Sequence, residues 1–385
     1  MSKNLMNALP GTRRTAAAGA AGSGESDHEC TSWLIFSDLT GNGTHLLHKN
    51  RDASPRNLLP LLSRPGSPRK WIGLGDGKPG GTAAGTVYVC MGINSSGLAA
   101  AVNSGEITVE PSAPRGPVET PAILRSCLEE CDTAGQAVEK VREFLRARRY
   151  AHGKRGSIFL FMDTKEACIA ELTAERCSAV RYDHGYALRA NIWHNPDMAC
   201  VAVNTIDSWL DSCNREYMVI RNLNRVRQTQ GKITAVDCLA ISRLSATPQG
   251  SPIARAICFR STNSASTLEI DLKHPELLST GYFLIGPPRH TICVPVPICV
   301  EELPPAMTEL RWSAAAWKRF DERGFDAKIP PKWRELEAAS LERYQAVRTE
   351  AKKLLDGGRR AEAVKLLNDT AASIWEAARK LLKVK

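Results

Sequence analysis

Apolar residues gather into strand-length blocks from Cys30 onward, and nothing before that position does so. Residues 11 to 27 (GTRRTAAAGAAGSGESD) are small and polar, with no periodicity that would bury enough surface to offset the entropy of ordering them. The run Cys30-Thr31-Ser32-Trp33-Leu34-Ile35-Phe36 predicts a strand and Thr44-His45-Leu46-Leu47-His48 a second. The turn formers Asp38-Leu39-Thr40-Gly41-Asn42-Gly43 between them predict a β-hairpin ending in Lys49-Asn50-Arg51-Asp52. Residues 53 to 86, rich in Pro, Gly and Arg, read as a long loop of the kind that shapes a pocket. Residues 119 to 150 carry helical periodicity, with Thr133 capping a second helix, and the blocks at 157–163, 167–172 and 177–182 read as a strand meander. Further strands are expected near Leu268-Glu269-Ile270 and Thr291-Ile292-Cys293-Val294-Pro295-Val296. Pro330-Pro331 opens a charged helix through Leu355, Asp356-Gly357-Gly358 breaks it, and residues 359 to 383 resume at helical spacing, so the tail reads as a helical hairpin packed on the rest of the chain or on a partner.

Composition changes this picture little. A chain of 385 residues with 43% apolar content buries a sizeable core and exceeds one average domain. The net charge of +10 raises the question of nucleic acid, but residues 306 to 385 alone hold 18 Lys and Arg against 12 Asp and Glu. Such mixed charge on helices is ordinarily a solvated face, so neither a nucleic-acid nor a membrane partner is expected. No transmembrane run is present. Arg13-Arg14 and the Ala/Gly stretch after it are too weakly apolar for a signal core, which favours a cytoplasmic protein, with export as the alternative. The twelve cysteines are scattered and suit buried, reduced positions.

The candidate chemistry begins at Cys30. It is either one more packed strand thiol or, if the disposable leader is removed at Glu29, a new N-terminus. In the second case its α-amine, with a reference pKa of about 8, serves as the base for its own thiol at about 8.5. A carboxylate or a cation at the end of the second strand, where Lys49, Arg51 and Asp52 lie, would order that network. Other chemistries fit less well. No His lies in a papain-like local signature, and a free α-amine removes the need for one. His45-Leu46-Leu47-His48 and Cys127-Leu128-Glu129-Glu130-Cys131 each lack the second pair that zinc requires, and Gly73-Leu74-Gly75-Asp76-Gly77 lacks the strand-to-helix setting of a phosphate loop, so neither a metal nor a cofactor is expected.

Cys30-Thr31-Ser32, a hairpin and then Lys49-Asn50-Arg51-Asp52 together resemble the start of the cysteine N-terminal nucleophile (Ntn) hydrolases, which include choloylglycine hydrolases, penicillin acyltransferases and dipeptidase A-like enzymes. The resemblance implies Cys30 as nucleophile and Asp52 as the carboxylate that orients it, supported by Asn50 and by Lys49, which stands where choloylglycine hydrolases have Arg. Met91-Gly92-Ile93-Asn94-Ser95-Ser96-Gly97-Leu98 resembles the family's Gly-x-Asn-x-x-Gly-Leu hairpin, which implies a structural Asn94 and, on the outgoing strand, Asn103 as an oxyanion donor. Arg189-Ala190-Asn191-Ile192-Trp193-His194-Asn195-Pro196 implies Asn191 as a second donor, with Asn195 as fallback. Asp211-Ser212-Cys213-Asn214-Arg215 is similar to the family's Ser-x-x-Arg, which implies a helix capped by Ser212 with Arg215 beside the nucleophile.

The fold so implied is an α+β, four-layer αββα sandwich over residues 30–305, preceded by a leader (1–29) and followed by a helical extension (306–385). The implied activity is hydrolysis of a linear amide, or transfer of its acyl group, through a Cys30 thioester after autocatalytic cleavage between Glu29 and Cys30. The substrate would be a small-molecule amide or short peptide, and such enzymes are often homo-oligomers. A dipeptidase and a non-catalytic binding protein of the same fold are the alternatives.

Overall fold

The computed structural model describes residues 29–77, 88–110, 120–150, 154–203, 205–245 and 256–384. Of the leader expected over residues 1–29, all but Glu29 lies outside them. The strands are β1 (Cys30–Ile35), β2 (Thr44–Asp52), β3 (Leu58–Leu62), β4 (Trp71–Asp76), β5 (Tyr88–Asn94), β6 (Ala99–Ile107), β7 (Arg155–Met162), β8 (Ala167–Leu172), β9 (Cys177–Tyr182), β10 (Tyr186–Arg189), β11 (Thr262–Asp271), β12 (Thr280–Ile285) and β13 (Val294–Pro297). The helices are α1 (Ser37–Thr40), α2 (Thr120–Glu130), α3 (Ala134–Arg146), α4 (Pro196–Ala199), α5 (Ile206–Gln230), α6 (Ala235–Ser242), α7 (Pro275–Leu278), α8 (Pro305–Thr308), α9 (Arg311–Arg323), α10 (Pro331–Asp356) and α11 (Arg360–Leu382).

Two antiparallel sheets stack face to face. One has six strands in the order β10-β1-β2-β11-β12-β13, the other seven in the order β3 to β9, a simple meander. Period-two alternation assigns each side chain of the six-stranded sheet to one of two faces. Ser32 and Lys49 point to the inner face, where they bond Asn103 of β6, whereas Trp33 and Asn50 point outward to α6 and the chain beyond it. Helices α2 and α3 cover the far side of the seven-stranded sheet, and α5, α6, α10 and α11 cover the outer side of the other, giving four αββα layers with helices at the C-terminal end.

The tail helices bury Tyr344, Leu367, Ile374 and Trp375 in the same core as β11 to β13. Arg348 of α10 pairs with the buried Glu269 of β11 at 2.5 Å. Thr133 caps α3 through a capping box with Gln136, as its spacing predicts. Two expectations are corrected. The Pro- and Gly-rich residues from 53 onward contain strands β3 and β4, which pair with each other and extend the sheet at β5. Ser212 is not a helix cap, because α5 starts earlier, at Ile206, with Thr205 accepting from Ser208 N as its cap. No helix among the described residues is long and apolar enough to cross a membrane.

Candidate active site

Cys30 opens β1, and the antiparallel register sets its surroundings: Cys30 lies opposite Arg51, and Ser32 opposite Lys49. Lys49, Asn50, Arg51 and Asp52 are all buried strand residues of β2, not a solvated turn, because the second sheet closes over one face and helices over the other. The Glu29–Cys30 peptide group is held from both ends. Its N–H, on Cys30, donates to Asn191 Oδ1 at 2.9 Å, and its carbonyl, on Glu29, accepts from the Asp52 main-chain N–H at 2.8 Å.

Arg215 approaches the same residue from α5. Its guanidinium donates to Cys30 O at 2.6 Å, Thr31 Oγ1 at 2.9 Å and Asn191 Oδ1 at 3.0 Å, and its Nε to Asp211 Oδ2 at 3.0 Å. The Glu29 carboxylate stands 3.7 Å away. Burial works against the Arg215 charge, but Asp211, Glu29 and Asp52 outweigh it and move its pKa up, so the cation is permanent. Ser212 Oγ accepts from the same guanidinium at 3.3 Å, which gives that residue a place beside Arg215 after all. The Asp52 carboxylate accepts from Thr262 Oγ1 at 2.6 Å.

The asparagines divide the work. Asn94 is structural: its Oδ1 accepts from Ser96 N and Leu98 N, closing the hairpin turn, and its Nδ2 donates to Leu128 O and Cys131 O at the end of α2. Asn50 donates to Ser242 O and Ile257 O and so anchors β2 to the outer layer. Asn103 spends both amide hydrogens on Arg189 O and Ala190 O, each at 3.0 Å, while its oxygen accepts from Ser32 Oγ and Lys49 Nζ. Its side chain therefore has no hydrogen left for an oxyanion in this conformation, contrary to the expected donor role, and it fixes the chain just before Asn191. Asn191 Nδ2 donates to Ser104 O at 2.8 Å. Asn195 is buried but does not reach Cys30; its main-chain N–H donates to Glu171. His48, stacked on Trp33 on the outer face, has its pKa pushed down to about 3 by burial and stays neutral.

Three buried glutamates complete the site, and no local motif marks them. Glu216 accepts from Ala190 N, Glu106 from Trp193 N, and Glu171 from His194 N and Asn195 N, so one carboxylate from each of α5, β6 and β8 clamps the segment that carries Asn191. Glu171 also pairs with Arg189 at 2.9 Å. Burial pushes the Glu106 carboxyl up to about 7, opposed by the Trp193 N–H and reinforced by Glu171.

A carboxyl whose folded pKa lies above its unfolded value binds its proton more tightly when folded. Its contribution to stability is complete below about pH 4.5 and is lost as pH rises to about 7. The unfolding free energy of wild type minus that of Glu106→Gln is therefore expected to fall between these limits and level off above them. Denaturant titrations at pH 4 to 8 measure it, and a difference that stays flat would show that Glu106 does not titrate in this range.

A family model described as acyl-coenzyme A:6-aminopenicillanic acid acyl-transferase matches residues 39–235, a span that includes Asp52, Asn103, Asn191 and Arg215 and begins after Cys30. Similar solved structures include a mutant conjugated bile acid hydrolase from Clostridium perfringens, 14% identical with a TM-score of 0.46, the match covering 71% of this chain and 93% of that one. A penicillin V acylase from Agrobacterium tumefaciens is 13% identical with a TM-score of 0.43, covering 70% and 86%. No curated protein matches the chain by sequence.

Proposed function

Because the chain belongs to the acyl-coenzyme A:6-aminopenicillanic acid acyl-transferase family, and so is an acyltransferase or amidohydrolase, we propose that it works through Cys30 as an N-terminal nucleophile freed by self-cleavage after Glu29. The observation that carries this reading is the two-ended hold on the Glu29–Cys30 peptide. A hydrogen bond to the Glu29 carbonyl from Asp52 N–H makes its carbon more electrophilic, and Asn191 and Arg215 fix the nitrogen and the carbonyl of Cys30 on either side of the thiol.

In the precursor, Cys30 Sγ adds to the Glu29 carbonyl carbon, the C–N bond breaks, and the thiol proton ends on the Cys30 nitrogen. Water then hydrolyses the thioester, which releases residues 1–29 as a carboxylic acid and leaves a free α-amine on Cys30. In the mature enzyme Sγ attacks the carbonyl of a linear amide while the α-amine takes the thiol proton and passes it to the leaving nitrogen. Asn191 donates to the developing oxyanion, Asn103 positions Asn191, Arg215 holds the Cys30 carbonyl, and the Asp52 carboxylate orients the freed α-amine. Water or an acceptor amine resolves the acyl-enzyme.

Intact masses of freshly purified wild type and Cys30→Ala test this. Wild type is expected to lack residues 1–29 and the variant to keep them. If both keep them, self-cleavage fails and a binding protein of the same fold becomes the better description. If both lose them, another protease trims the chain.

A further inference from the structure

Directly opposed residues of an antiparallel pair project from the same face with Cβ atoms about 5 Å apart. Arg51 is therefore the nearest charged side chain across the ladder from Cys30, on the inner face. Its Nη1 and Nη2 donate to the two carboxylate oxygens of Asp76, at the end of β4 in the facing sheet, at 2.5 and 2.6 Å. An end-on pair of this kind uses two of the five guanidinium hydrogens and leaves three.

Lys49, two residues back on the same face, donates to Val102 O and Asn103 Oδ1, both at 2.7 Å, and no carboxylate among the described residues lies within ion-pair distance of it. The partners of Arg51 and Lys49 on β11 are the neutral Ser264 and Ser266. The thiol of Cys90, on β5, is pushed up to about 11 by burial and stays uncharged at neutral pH. On this inner face beside Cys30 there are thus two cations and one carboxylate, while Arg215, with Asp211 and Asp52, approaches Cys30 from the α5 side.

Exposure marks where this face opens. Lys49 and Asn103 retain 1% and the two serines none, while Cys30, Cys90, Asp76 and Arg51 retain 5 to 9%. Of these inner-face residues the two thiols and the ion pair retain the most exposure, which places Arg51 beside Cys30 where this face is least closed.

We propose that Arg51, held by Asp76 and reinforced by Lys49, selects substrates by charge, favouring an amide whose acyl group carries a carboxylate or similar anion near the reacting carbonyl. A purely apolar acyl chain would press against a desolvated ion pair without bonding it, whereas an anion takes up the remaining guanidinium donors. This rests on the reading of Cys30 as the nucleophile.

The test compares two alkylating reagents of nearly equal size, anionic iodoacetate and neutral iodoacetamide, on the mature protein, with Cys30 modification followed by peptide mass spectrometry. The ratio of the two rates cancels the thiolate fraction and the accessibility of the sulfur, leaving the local charge. Arg51→Gln is expected to lower the iodoacetate-to-iodoacetamide ratio about tenfold, Arg51→Lys to keep most of it, and Asp76→Asn to raise it. Should Arg51→Gln fail to fold with Asp76 left buried and unpaired, the double variant Arg51→Gln/Asp76→Asn removes both charges, and the ratio is again expected to fall. Equal ratios in wild type and the Gln variants would overturn charge selection while leaving the nucleophile in place. A Cys30 that neither reagent labels in the mature protein would overturn the nucleophile reading, and charge selection with it.

Discussion

Arg215→Met is expected to cost about 3–5 kcal/mol of stability, the usual penalty for removing one partner of a buried ion pair, and to leave the chain uncleaved at Glu29. The stability loss comes from Asp211, which is buried, has one carboxylate oxygen already without a hydrogen-bond partner, and would lose its only ion-pair partner among the described residues. The loss of cleavage comes from the other arm of the same guanidinium, which ties Cys30 O, Thr31 Oγ1 and Asn191 Oδ1 to one rigid fork. The double variant Arg215→Met/Asp211→Asn separates the two effects: with no stranded carboxylate it should recover part of the stability, measured by denaturant unfolding, yet still retain the leader by mass. Arg215→Lys should be uncleaved or slow as well, since an ammonium does not span three acceptors in fixed directions. A double variant that is stable and fully cleaved would remove Arg215 from the processing machinery and leave it a structural cation.

The residues that surround Cys30 were readable in the sequence where they sit in compact motifs. Asp52, Asn191 and Arg215 meet at Cys30 although Arg215 lies 185 residues away: Asp52 ends β2, Asn191 follows β10, and Arg215 lies within α5, each in an element whose type the local pattern reveals. The glutamate clamp was not readable. Glu106 and Trp193 are 87 residues apart, and a carboxylate that accepts from a distant main-chain N–H leaves no spacing to detect. Asn103 was misjudged for a related reason: its position in the hairpin motif is correct, but which partners consume its hydrogens depends on the approach of residues 189–190 from the other sheet.

The loop reading of residues 53 to 86 failed over β3 and β4, within the described residues 53 to 77, because glycine signals both turns and close approach. A Cβ on Gly73 would meet Met91 O at 2.6 Å, and one on Gly75 would meet Tyr88 O at 1.9 Å. These glycines are there so that β4 can lie tightly against β5, and the turn they appear to announce does not exist. The helical tail was legible as two helices from Pro331 and the Gly357-Gly358 break, but its burial against β11 to β13 depends on side chains such as Tyr344 and Arg348 that look like ordinary surface residues in a charged stretch.

Asn191→Asp is expected to lower turnover of an amide substrate by about 100- to 1000-fold, the range for loss of one oxyanion donor. The substitution keeps the shape of the side chain and the oxygen that accepts from Cys30 N and Arg215, and removes the Nδ2 hydrogens. Asn191→Ala removes both functions and should be at least as impaired, with additional loss of stability because Arg215 and Ser104 O lose a partner. The comparison is informative because a new carboxylate beside the permanently charged Arg215 is electrostatically tolerated in the ground state, so its cost should appear chiefly where negative charge develops on the substrate oxygen. The expected signature is a fall in kcat with little change in KM. If Asn191→Asp turns over substrate at the wild-type rate while Asn191→Ala does not, the acceptor function alone matters, and the oxyanion must be held by main-chain N–H groups such as that of Asp52, which loses its Glu29 partner once the leader departs.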